Sequence, residues 1–412
     1  MKKNIIDIAK TCLGCKRPSC QKGCPVNTPI AEMIRMFLAG DIDKAGEMLF
    51  ANNPLSAICS IVCPHEKHCE GHCVLNRKFT PVSVGEIENY ISQRYITNTV
   101  LHKNDQKKEN IAIVGAGPAG ISLAIIMATK GYNVTMYDDN DRIGGVIRFG
   151  IPDFRLDKSI LETLHQRLKE LGVTIRLNTP IGRVITVADL FRDGFNAVFV
   201  ATGVWAPKKL GLKGESLGNV HFAIDYLKAP KQFELGEKTI VIGAGNVAMD
   251  TARTAVRNGA KEVTVVYRKG LEDMPAEKHE IECAKLDGAK FDFYKSPTEL
   301  CSNGLKYVTT NEENNTEGFL EANSIIIAAS QNPRDRIVSS AKGINTNEKG
   351  FIITDESGRT TQAGVFASGD VVTGPKTVVE AVAFSKKVSV AMEEFFAISN
   401  NDETSKIEPL NA

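Results

Sequence analysis

The sequence predicts an α/β protein in which a helical, cysteine-rich segment is followed by two separate βαβ units. Eight of the ten cysteines lie between Cys12 and Cys73, so they belong to one local structure. Two later stretches, which begin at Ile111 and Lys238, each run from an apolar strand through a glycine-rich turn into a helix and a second strand. A chain of 412 residues is long enough for two or three domains.

Composition favours a globular protein without a broad charged surface. The chain is 42% hydrophobic and 24% charged, with a formal net charge of +1. Neither nucleic acid nor an anionic membrane is therefore an expected partner. Asp7 interrupts the N-terminal stretch MKKNIIDIAK before it reaches signal length, and no run reaches the ~20 apolar residues of a membrane span. We expect a cytoplasmic protein.

Residues 1–107 form the cysteine-rich segment, which we expect to be mostly helical with its cysteines on loops. Thr28 followed by Pro29 is typical of a helix start, with proline at the first helical position. The polar stretch LHKNDQKKEN, residues 101–110, is the predicted linker out of the segment. Apolar residues recur after Pro29 with the spacing of one helix face: Ile30, Met33, Ile34, Phe37 and Leu38.

The cysteines fall into two groups with the patterns C-x2-C-x4-C-x3-C-P and C-x3-C-P-x5-C-x3-C. Tight spacing lets several thiolates of one loop converge on an inorganic core, and a cysteine before proline often serves the other of two clusters. Eight thiols suit two [4Fe-4S] clusters. The first group is Cys12, Cys15, Cys20 and Cys24, and the second is Cys59, Cys63, Cys69 and Cys73.

Structural zinc is the alternative for the cysteines, because zinc also takes four Cys or His ligands. His65, His68 and His72 interleave with the second group and keep this alternative open. The repeated cysteine–proline pair favours iron–sulfur clusters, and an electron carrier suits the nucleotide-binding units that follow. The three histidines are then expected on the surface.

The first βαβ unit carries a complete dinucleotide fingerprint. Gly115, Gly117 and Gly120 form G-x-G-x-x-G directly after a strand and at the mouth of a helix. Glycine permits the tight turn, the close approach of a pyrophosphate and the packing of helix on strand, while the helix N-terminus attracts the phosphates. Asp138 follows the second strand, where a carboxylate accepts hydrogen bonds from a ribose.

The second βαβ unit has a related fingerprint, Gly243-x-Gly245-x-x-Ala248, with alanine at the tolerant third position. Arg268 and Lys269 stand where the first unit has its acid. Cations at this place would pair with a 2′-phosphate, so the site favours NADPH over NADH. The alternative is that both cations are merely solvated.

Two dinucleotide units in one chain most simply hold a flavin dinucleotide and a nicotinamide. NADPH delivers two electrons as hydride, whereas iron–sulfur clusters accept one electron at a time. A flavin converts between the two modes. Chemistry therefore predicts the order nicotinamide, flavin, cluster.

Further motifs carry a resemblance to a known family over about residues 10–395. In order they are VSVGEIENYI (82–91), IVGAGPAG (113–120), GGVIRFGIPDFRLDKSI (144–160), VATG (200–203), VIGAGNVAMD (241–250), YRKGLEDMPA (267–276) and GVFASGDVVTGPKTVVEAV (364–382). Together they resemble the small (beta) chain of NADPH-dependent glutamate synthase and the N-terminal half of dihydropyrimidine dehydrogenase. They are also similar to the electron-input subunit of NAD-dependent dihydropyrimidine dehydrogenase and the large subunit of NADH-dependent ferredoxin:NADP oxidoreductase.

The resemblance implies two Rossmann-like FAD/NAD(P)-binding domains of the thioredoxin-reductase/adrenodoxin-reductase type behind the helical two-cluster domain. The FAD domain would span 108–230 and 330–400, the NADPH domain 231–329 and a flexible tail 401–412. Asp370 matches the acid that holds the flavin's ribityl chain, and the helix after Thr377 would direct its N-terminus at the flavin ring. Further FAD contacts implied by these motifs are Gly145, Arg155, Gly203 and Gly369.

The resemblance also implies the ligand sets of the clusters. Cys12, Cys15, Cys20 and Cys73 would hold one cluster, and Cys24, Cys63 and Cys69 the other. Spacing alone would choose Cys59 as the remaining ligand. The resemblance favours Glu88, which stands where dihydropyrimidine dehydrogenase has a ligating glutamine.

These observations predict the electron-input flavoprotein of a larger complex, which passes electrons from NAD(P)H through FAD and the clusters to a partner subunit. The partner would be a glutamate synthase large chain, a dihydropyrimidine dehydrogenase-like chain or a ferredoxin-linked bifurcating subunit. No cysteine pair of the C-x-x-C kind follows the nucleotide units, so disulfide reduction lacks its thiols. Hydride transfer requires orientation, and no acid–base residue is predicted. Competing hypotheses are a zinc-stabilised dinucleotide sensor without turnover and a self-sufficient NADPH reductase.

Overall fold

The computed structural model describes residues 4–310, 316–334, 336–341 and 343–405. Two compact units divide the chain. The first comprises Met1–Gly145, Arg155–Val204 and Pro333–Ala412, and the second comprises Val146–Phe154 and Trp205–Asn332.

The cysteine-rich segment is helical, as the sequence predicts. An apolar core that includes Met33, Leu49 and Ile87 joins its helices. Most of its cysteines lie between helices, but Cys20 is in the second helix and Cys59 in the fifth, so the expectation that all lie on loops is wrong. The helices are α1 (Ile5–Lys10), α2 (Ser19–Lys22), α3 (Ile30–Leu38), α4 (Ile42–Asn52), α5 (Ser56–Val62) and α6 (Val84–Asn98).

Helix α3 confirms the predicted amphipathic helix with two differences at its ends. Pro29 occupies the N-cap position, and Thr28 is buried instead of capping the helix. The Thr28 hydroxyl lies 3.3 Å from the Cys24 thiol, so it forms a hydrogen bond within the cysteine loop. Leu38 is 43% exposed because the helix ends there.

The first βαβ unit is confirmed between residues 110 and 137. Strands β1 and β2 pair in parallel, with Ile111 opposite Val134. The predicted linker leads directly into β1 and is fastened by the Lys107 N–H, which donates to the Gly131 carbonyl. The elements to residue 200 are β1 (Asn110–Val114), α7 (Pro118–Thr129), β2 (Asn133–Tyr137), α8 (Val146–Phe149), α9 (Ser159–Glu170), β3 (Thr174–Arg176), α10 (Val187–Arg192) and β4 (Ala197–Val200).

The second unit contains the second βαβ arrangement. Its parallel sheet has the order β6-β13-β7-β8-β9, and β10, β11 and β12 form an antiparallel sheet. Its elements are β5 (Ala206–Pro207), β6 (Val220–Phe222), α11 (Ala223–Lys228), β7 (Lys238–Ile242), α12 (Asn246–Arg257), β8 (Glu262–Val266), α13 (Lys278–Leu286), β9 (Lys290–Asp292), β10 (Lys295–Cys301), β11 (Gly304–Thr309), β12 (Glu317–Glu321), β13 (Ser324–Ile327) and β14 (Gln331–Asn332).

The second unit begins at Trp205, earlier than the expected residue 231, and it takes in Val146–Phe154. The reason is packing. Strand β6 pairs with β13, and the Phe149 and Trp205 rings meet edge to face at 6.3 Å. Phe154 lies 4.6 Å from the Arg253 guanidinium and 4.4 Å from that of Arg257.

The chain then completes the sheet of the first unit, whose order is β15-β4-β1-β2-β3. Helix α16 continues to Ser405, within the expected tail 401–412, and residues 406–412 lie outside the described residues. Every helix in the described part of the chain is too short or too polar to cross a lipid bilayer. The last elements are α14 (Arg336–Ser340), β15 (Val365–Ala367), α15 (Asp370–Thr373) and α16 (Val378–Ser405).

Candidate cofactor sites

The four cysteines that the resemblance assigns to one cluster line a single cavity. Cys12 and Cys15 come from the loop after α1, Cys20 from α2 and Cys73 from the second cysteine group. The cavity is partly open to solvent. The rest of its wall is largely apolar and includes Ile30, Ile34, Val82 and Val84.

This arrangement suits an inorganic core of several atoms. Burial, with smaller contributions from the thiols of Cys73, Cys12 and Cys15, raises the pKa of Cys20 to about 11. Four thiolates here would need a cation among them. Among the described residues, no three Cys, His, Asp or Glu side chains converge closely enough to hold one metal ion. Four cysteine thiols around one cavity are the donor set of a [4Fe-4S] cluster, so the residues fit such a cluster in their chemistry.

The second cysteine group and Glu88 also come together. A hydrogen bond with Cys59, followed by burial and the nearby Glu88 and Cys69, raises the pKa of Cys63. Burial, with Glu88 and Cys24 among the charged neighbours, raises the pKa of Cys69. Both candidates for the fourth ligand, Cys59 and Glu88, therefore lie beside Cys63.

Glu88 reaches this group because α6 is fastened to the second cysteine loop. The Glu70 carboxylate accepts a hydrogen bond of 3.0 Å from the Gly85 N–H at the N-terminus of α6, where the helix dipole favours negative charge. Glu88 follows one turn later and is only 8% exposed. Burial raises the pKa of Glu88 to about 8, so its ionised form needs a compensating cation, which cluster iron would supply.

The expectation of three surface histidines is wrong for His65 and His68, which are both half-buried, whereas His72 is exposed. Burial lowers the pKa of His65, and its Nε2 atom has no hydrogen-bond partner in the part of the chain that the structure describes. A Cβ on Gly85 would lie 2.7 Å from the His65 ring, so this histidine packs against the start of α6.

Lys386 of α16 is a residue near the second group that sequence reasoning missed. Its Nζ donates to the Asn52 carbonyl at 2.8 Å and to Asn52 Oδ1 at 2.7 Å. Burial lowers the pKa of Lys386, whereas the nearby Cys24 acts to raise it. The adjacent Lys387 looks identical in the sequence, so no local signal could have distinguished the two lysines.

The three glycines of the first fingerprint have three different roles at the carboxyl end of β1. Gly115 has a φ of +111°, and a Cβ there would lie 2.3 Å from the Ala201 carbonyl oxygen. A Cβ on Gly120 would lie 1.9 Å from the Gly115 carbonyl oxygen, so this glycine packs α7 on the turn. A Cβ on Gly117 would meet only Gly145 Cα, at 3.8 Å. The open space beside Gly117 fits the close approach of a pyrophosphate.

Asp138 is bonded to the same turn from the end of β2. Its Oδ2 accepts a hydrogen bond of 2.6 Å from the Ala116 N–H. Its Oδ1 accepts from the Asn140 N–H and side-chain amide, at 2.8 Å each. Burial raises the pKa of Asp138, and these bonds oppose the rise. A carboxylate can accept about four hydrogen bonds, so acceptor capacity remains for a ribose hydroxyl.

Three further residues of the predicted flavin site lie at strand ends of the same sheet. Gly203 follows β4 with a φ of +66°, and Gly369 follows β15 with a φ of +77°. A Cβ on Gly369 would lie 3.2 Å from Ala119 Cβ on α7. Asp370, the first residue of α15, is therefore brought to the fingerprint helix.

Thr377 and Arg155 also belong to the first unit. The Thr377 N–H donates to Glu380 Oε2 at 3.0 Å, and the Glu380 N–H donates to Thr377 Oγ1 at 3.3 Å. This reciprocal pair begins α16 and fixes the direction of its N-terminus. Arg155 is half-buried at the start of the 155–204 segment.

Asp370→Asn is expected to stabilise the flavin-free protein at pH 8 and to have a smaller effect at pH 5. Burial, with Glu380 nearby, raises the pKa of Asp370 to about 6, against the Lys376 N–H that donates to it. Because the carboxyl pKa of Asp370 is higher in the folded than in the unfolded chain, ionisation of Asp370 destabilises the folded protein. This destabilisation begins above the pKa of the unfolded chain and reaches its full size once the pH exceeds about 6. The gain at pH 8 should be on the order of 1–3 kcal/mol.

Denaturant unfolding of flavin-free protein at the two pH values measures the effect of Asp370→Asn. Asp141→Asn, at an exposed carboxylate of the same unit, is the control and should change the free energy of unfolding little at either pH. An equal gain at pH 5 and pH 8 would contradict the assignment to a buried, ionised Asp370.

The second fingerprint has the same geometry in the second unit. Gly243 has a φ of +136°, and a Cβ there would lie 2.4 Å from the Ala328 carbonyl oxygen. A Cβ on Gly245 would have no atom within 4 Å, so space for a pyrophosphate is open there. Ala248 is fully buried at the third position.

The two predicted phosphate-binding cations follow β8 and are exposed. Lys269 lies 3.8 Å from Asp273, so a neighbouring carboxylate partly neutralises it. Arg268 forms no ion pair within the described ranges. Of the two cations, Arg268 therefore has the less compensated charge.

Two family models match the chain. The first, described as dihydropyrimidine dehydrogenase domain II with a 4Fe-4S cluster, matches residues 1–100. The second, described as pyridine nucleotide-disulphide oxidoreductase, matches residues 76–193 and 183–384. These matches confirm the predicted order of an iron–sulfur domain followed by nucleotide-binding domains.

Curated relatives match over nearly the whole chain. The glutamate synthase [NADPH] small chain of Halomonas elongata is 33% identical, and the alignment covers 91% of this chain and 87% of that protein. The Escherichia coli small chain is 31% identical over 92% of this chain and 89% of its own length. The E. coli NAD-dependent dihydropyrimidine dehydrogenase subunit PreT is 31% identical, with 94% and 93% covered. The predicted resemblance is confirmed.

Solved structures confirm the predicted type of fold. Thioredoxin reductase of T. acidophilum has a TM-score of 0.56 and 22% identity, and covers 69% of this chain and 97% of its own. FprA of Mycobacterium tuberculosis has a TM-score of 0.59 and 18% identity, with 74% and 88% covered. At these identities the likeness concerns the fold alone.

Proposed function

Because this chain belongs to the family of the glutamate synthase small chain and the dihydropyrimidine dehydrogenase subunit PreT, we propose that it is the electron-input subunit of a larger enzyme. In this proposal it oxidises NADPH on a bound FAD and passes single electrons through two [4Fe-4S] clusters to a partner subunit. When bound, the flavin supplies the conversion of a hydride into single electrons.

One observation carries the proposal. Four cysteines from the two cysteine groups line one cavity, in the unit that also contains the complete fingerprint at Gly115. A chain that needed zinc only to fold its N-terminus would gain nothing from an adjacent dinucleotide site. An electron carrier beside a flavin explains both the cysteine cavity and the dinucleotide fingerprint.

The residues divide into three sets of proposed contacts. The flavin set is Gly115, Gly117, Gly120, Asp138, Gly145, Arg155, Gly203, Gly369, Asp370 and Thr377. The nicotinamide set is Gly243, Gly245, Ala248, Arg268 and Lys269, and it favours NADPH, with NADH as a poorer substrate. The cluster sets are Cys12, Cys15, Cys20 and Cys73, and Cys24, Cys63, Cys69 and Glu88 with Cys59 as the alternative.

The second cluster set would receive electrons first. Helix α16 begins at the capping pair beside the proposed flavin site. Lys386 of this helix donates hydrogen bonds to Asn52 and lies near Cys24 of the second set. The first set lies at the solvent-facing cavity. Electrons would therefore leave the chain from the first set.

The partner that best fits the proposal is a glutamate synthase large chain, since relatives named as NADPH-dependent small chains match closely and Arg268 suits a 2′-phosphate. A dihydropyrimidine dehydrogenase chain is the second candidate, because PreT matches this chain with 93% of its own length covered. Glutamine-dependent and dihydropyrimidine-dependent turnover of the co-purified complex separates the two.

Anaerobic purification of the full chain tests the proposal. We expect a brown protein with one FAD and roughly eight irons per chain, whose flavin absorbance is bleached by NADPH. Removal of iron with a chelator should abolish electron transfer to a protein acceptor and leave flavin reduction by NADPH intact. A colourless protein that contains zinc would refute the proposal.

A further inference from the structure

Exposed apolar side chains line the first cysteine cavity, and exposed cations flank its cysteines along the chain. Leu13 and Val74 line the cavity yet are 65% and 40% exposed, and Phe79, which follows Val74 closely in the chain, is 71% exposed. The basic rim is defined here as six exposed cations in residues 10–22 and 73–81, segments without any Asp or Glu. Its members are Lys10, Lys16, Arg17, Lys22, Arg77 and Lys78.

The basic rim is unusual for a chain whose net charge is only +1. Among the residues that the structure describes, none of its six cations forms an ion pair, whereas many other exposed cations do, such as Lys238 with Glu321 at 3.0 Å. Their positive charge is therefore exposed and uncompensated in the two segments that supply the cysteines of the cavity. Apolar residues at the centre and charges at the edge are the usual anatomy of a protein–protein interface.

We infer that the basic rim and its apolar centre dock the acidic face of the partner protein that takes single electrons from the first cluster. The inference rests on the proposed function, because it requires electrons to leave at this cavity. Charges at the edge of an interface steer encounter and fix orientation, and apolar contact at its centre excludes water. A carboxylate-rich surface would supply negative charges to pair with all six cations.

The side of the cysteine-rich segment that carries the second group is less suited to docking a partner. There Asn52 is bonded to Lys386 of α16, and Glu380 of α16 lies near His68. That side is therefore already covered by the chain's own nucleotide-binding fold. The cavity mouth is the exposed approach to the clusters.

Two small redox proteins of opposite charge test the inference on the full, flavin- and cluster-loaded chain. Rubredoxin is acidic and cytochrome c is basic, and both accept one electron. At low ionic strength NADPH-dependent reduction of rubredoxin should be about tenfold faster than at high ionic strength, because salt screens the attraction. Binding of zinc-substituted rubredoxin, which accepts no electrons, should show the same salt dependence.

R77E/K78E should lower the kcat/KM for rubredoxin about tenfold and weaken binding of the zinc form, and it should speed the reduction of cytochrome c. The matched control K169E/K349E reverses two exposed cations elsewhere in the first unit and should change neither. Equal effects of the two double variants, or a wild-type preference for cytochrome c, would overturn the inference. If R77E/K78E loses iron, the salt dependence of rubredoxin reduction by the wild-type chain still tests the inference, because a rate that does not change with salt would contradict it.

Failure of the proposed function would look different. In that case NADPH would not reduce menadione, a neutral quinone that accepts electrons from flavoproteins, and iron or flavin would be missing. Menadione reduction without any charge preference among protein acceptors would refute the docking surface alone.

Discussion

Alanine at Glu88 is expected to abolish the electron paramagnetic resonance signal of one cluster and to leave the other. Alanine at Cys59 is expected to leave both signals. Loss of a ligand opens a cluster to iron loss, whereas loss of a neighbouring thiol removes only packing and one weak hydrogen bond. Spectra of dithionite-reduced protein, with iron counted per chain, measure the outcome.

The surroundings of the two side chains support this choice. The Cys59 thiol lies inside α5 and is hydrogen-bonded to Cys63. Glu88 is buried at 8% exposure, and burial raises the pKa of its carboxyl to about 8 with no opposing contribution. An ionised carboxylate at this depth is costly unless a positive charge compensates it, and cluster iron is the candidate that the site offers.

Two further variants sharpen the test at Glu88. Glu88→Gln keeps a ligating oxygen but removes a negative charge, so the cluster should persist with a changed reduction potential. Cys283→Ala removes a thiol of α13 that is remote from both groups in sequence, and should change neither signal nor iron. A lost signal in Cys59→Ala, with both signals intact in Glu88→Ala, would make Cys59 the ligand.

The fingerprints could be predicted because their physics is local. Gly115, Gly117 and Gly120 lie within six residues, and the positive φ, the open space and the close packing that they require arise inside one turn. The strand–turn–helix order follows from the same short stretch. The fold of each nucleotide unit was therefore accessible from sequence.

The surroundings of the second cysteine group could not be predicted in this way. Lys386 meets Asn52 across 334 positions of the chain, and only the return of the chain through β15 brings α16 there. Glu70 caps α6 through Gly85 across 15 positions. Contacts of this kind depend on how helices pack, and residue spacing alone contains no information on them.

The boundary of the second unit has a similar origin. The segment that precedes Arg155 belongs by sequence to the first fold, but Phe154 packs against two arginines of α12. Such cation–π contacts are worth about 0.5–2 kcal/mol each, enough to fix a short segment to a neighbour. The composition of residues 146–154 gives no sign of these cation–π contacts.

Arg268→Glu is expected to raise the KM for NADPH about 10- to 100-fold and to change the KM for NADH little. A hydrogen bond to a charged group contributes about 1.5–3 kcal/mol, and each ~1.4 kcal/mol is a factor of ten in affinity. Glutamate would also repel a 2′-phosphate, whereas NADH carries none. Lys269→Glu should have a smaller effect, because Asp273 already lies 3.8 Å from that lysine.

Steady-state flavin reduction with both nicotinamides, together with inhibition by NADP+ and NAD+, measures the preference set by Arg268. The kcat with saturating NADPH should change little if Arg268 binds substrate and transition state equally. Lys231→Glu, at another exposed cation of the second unit, is the matched control and should leave both KM values unchanged. Equal increases for NADPH and NADH in Arg268→Glu would show that the arginine supports the fold of the turn after β8 instead of reading the 2′-phosphate.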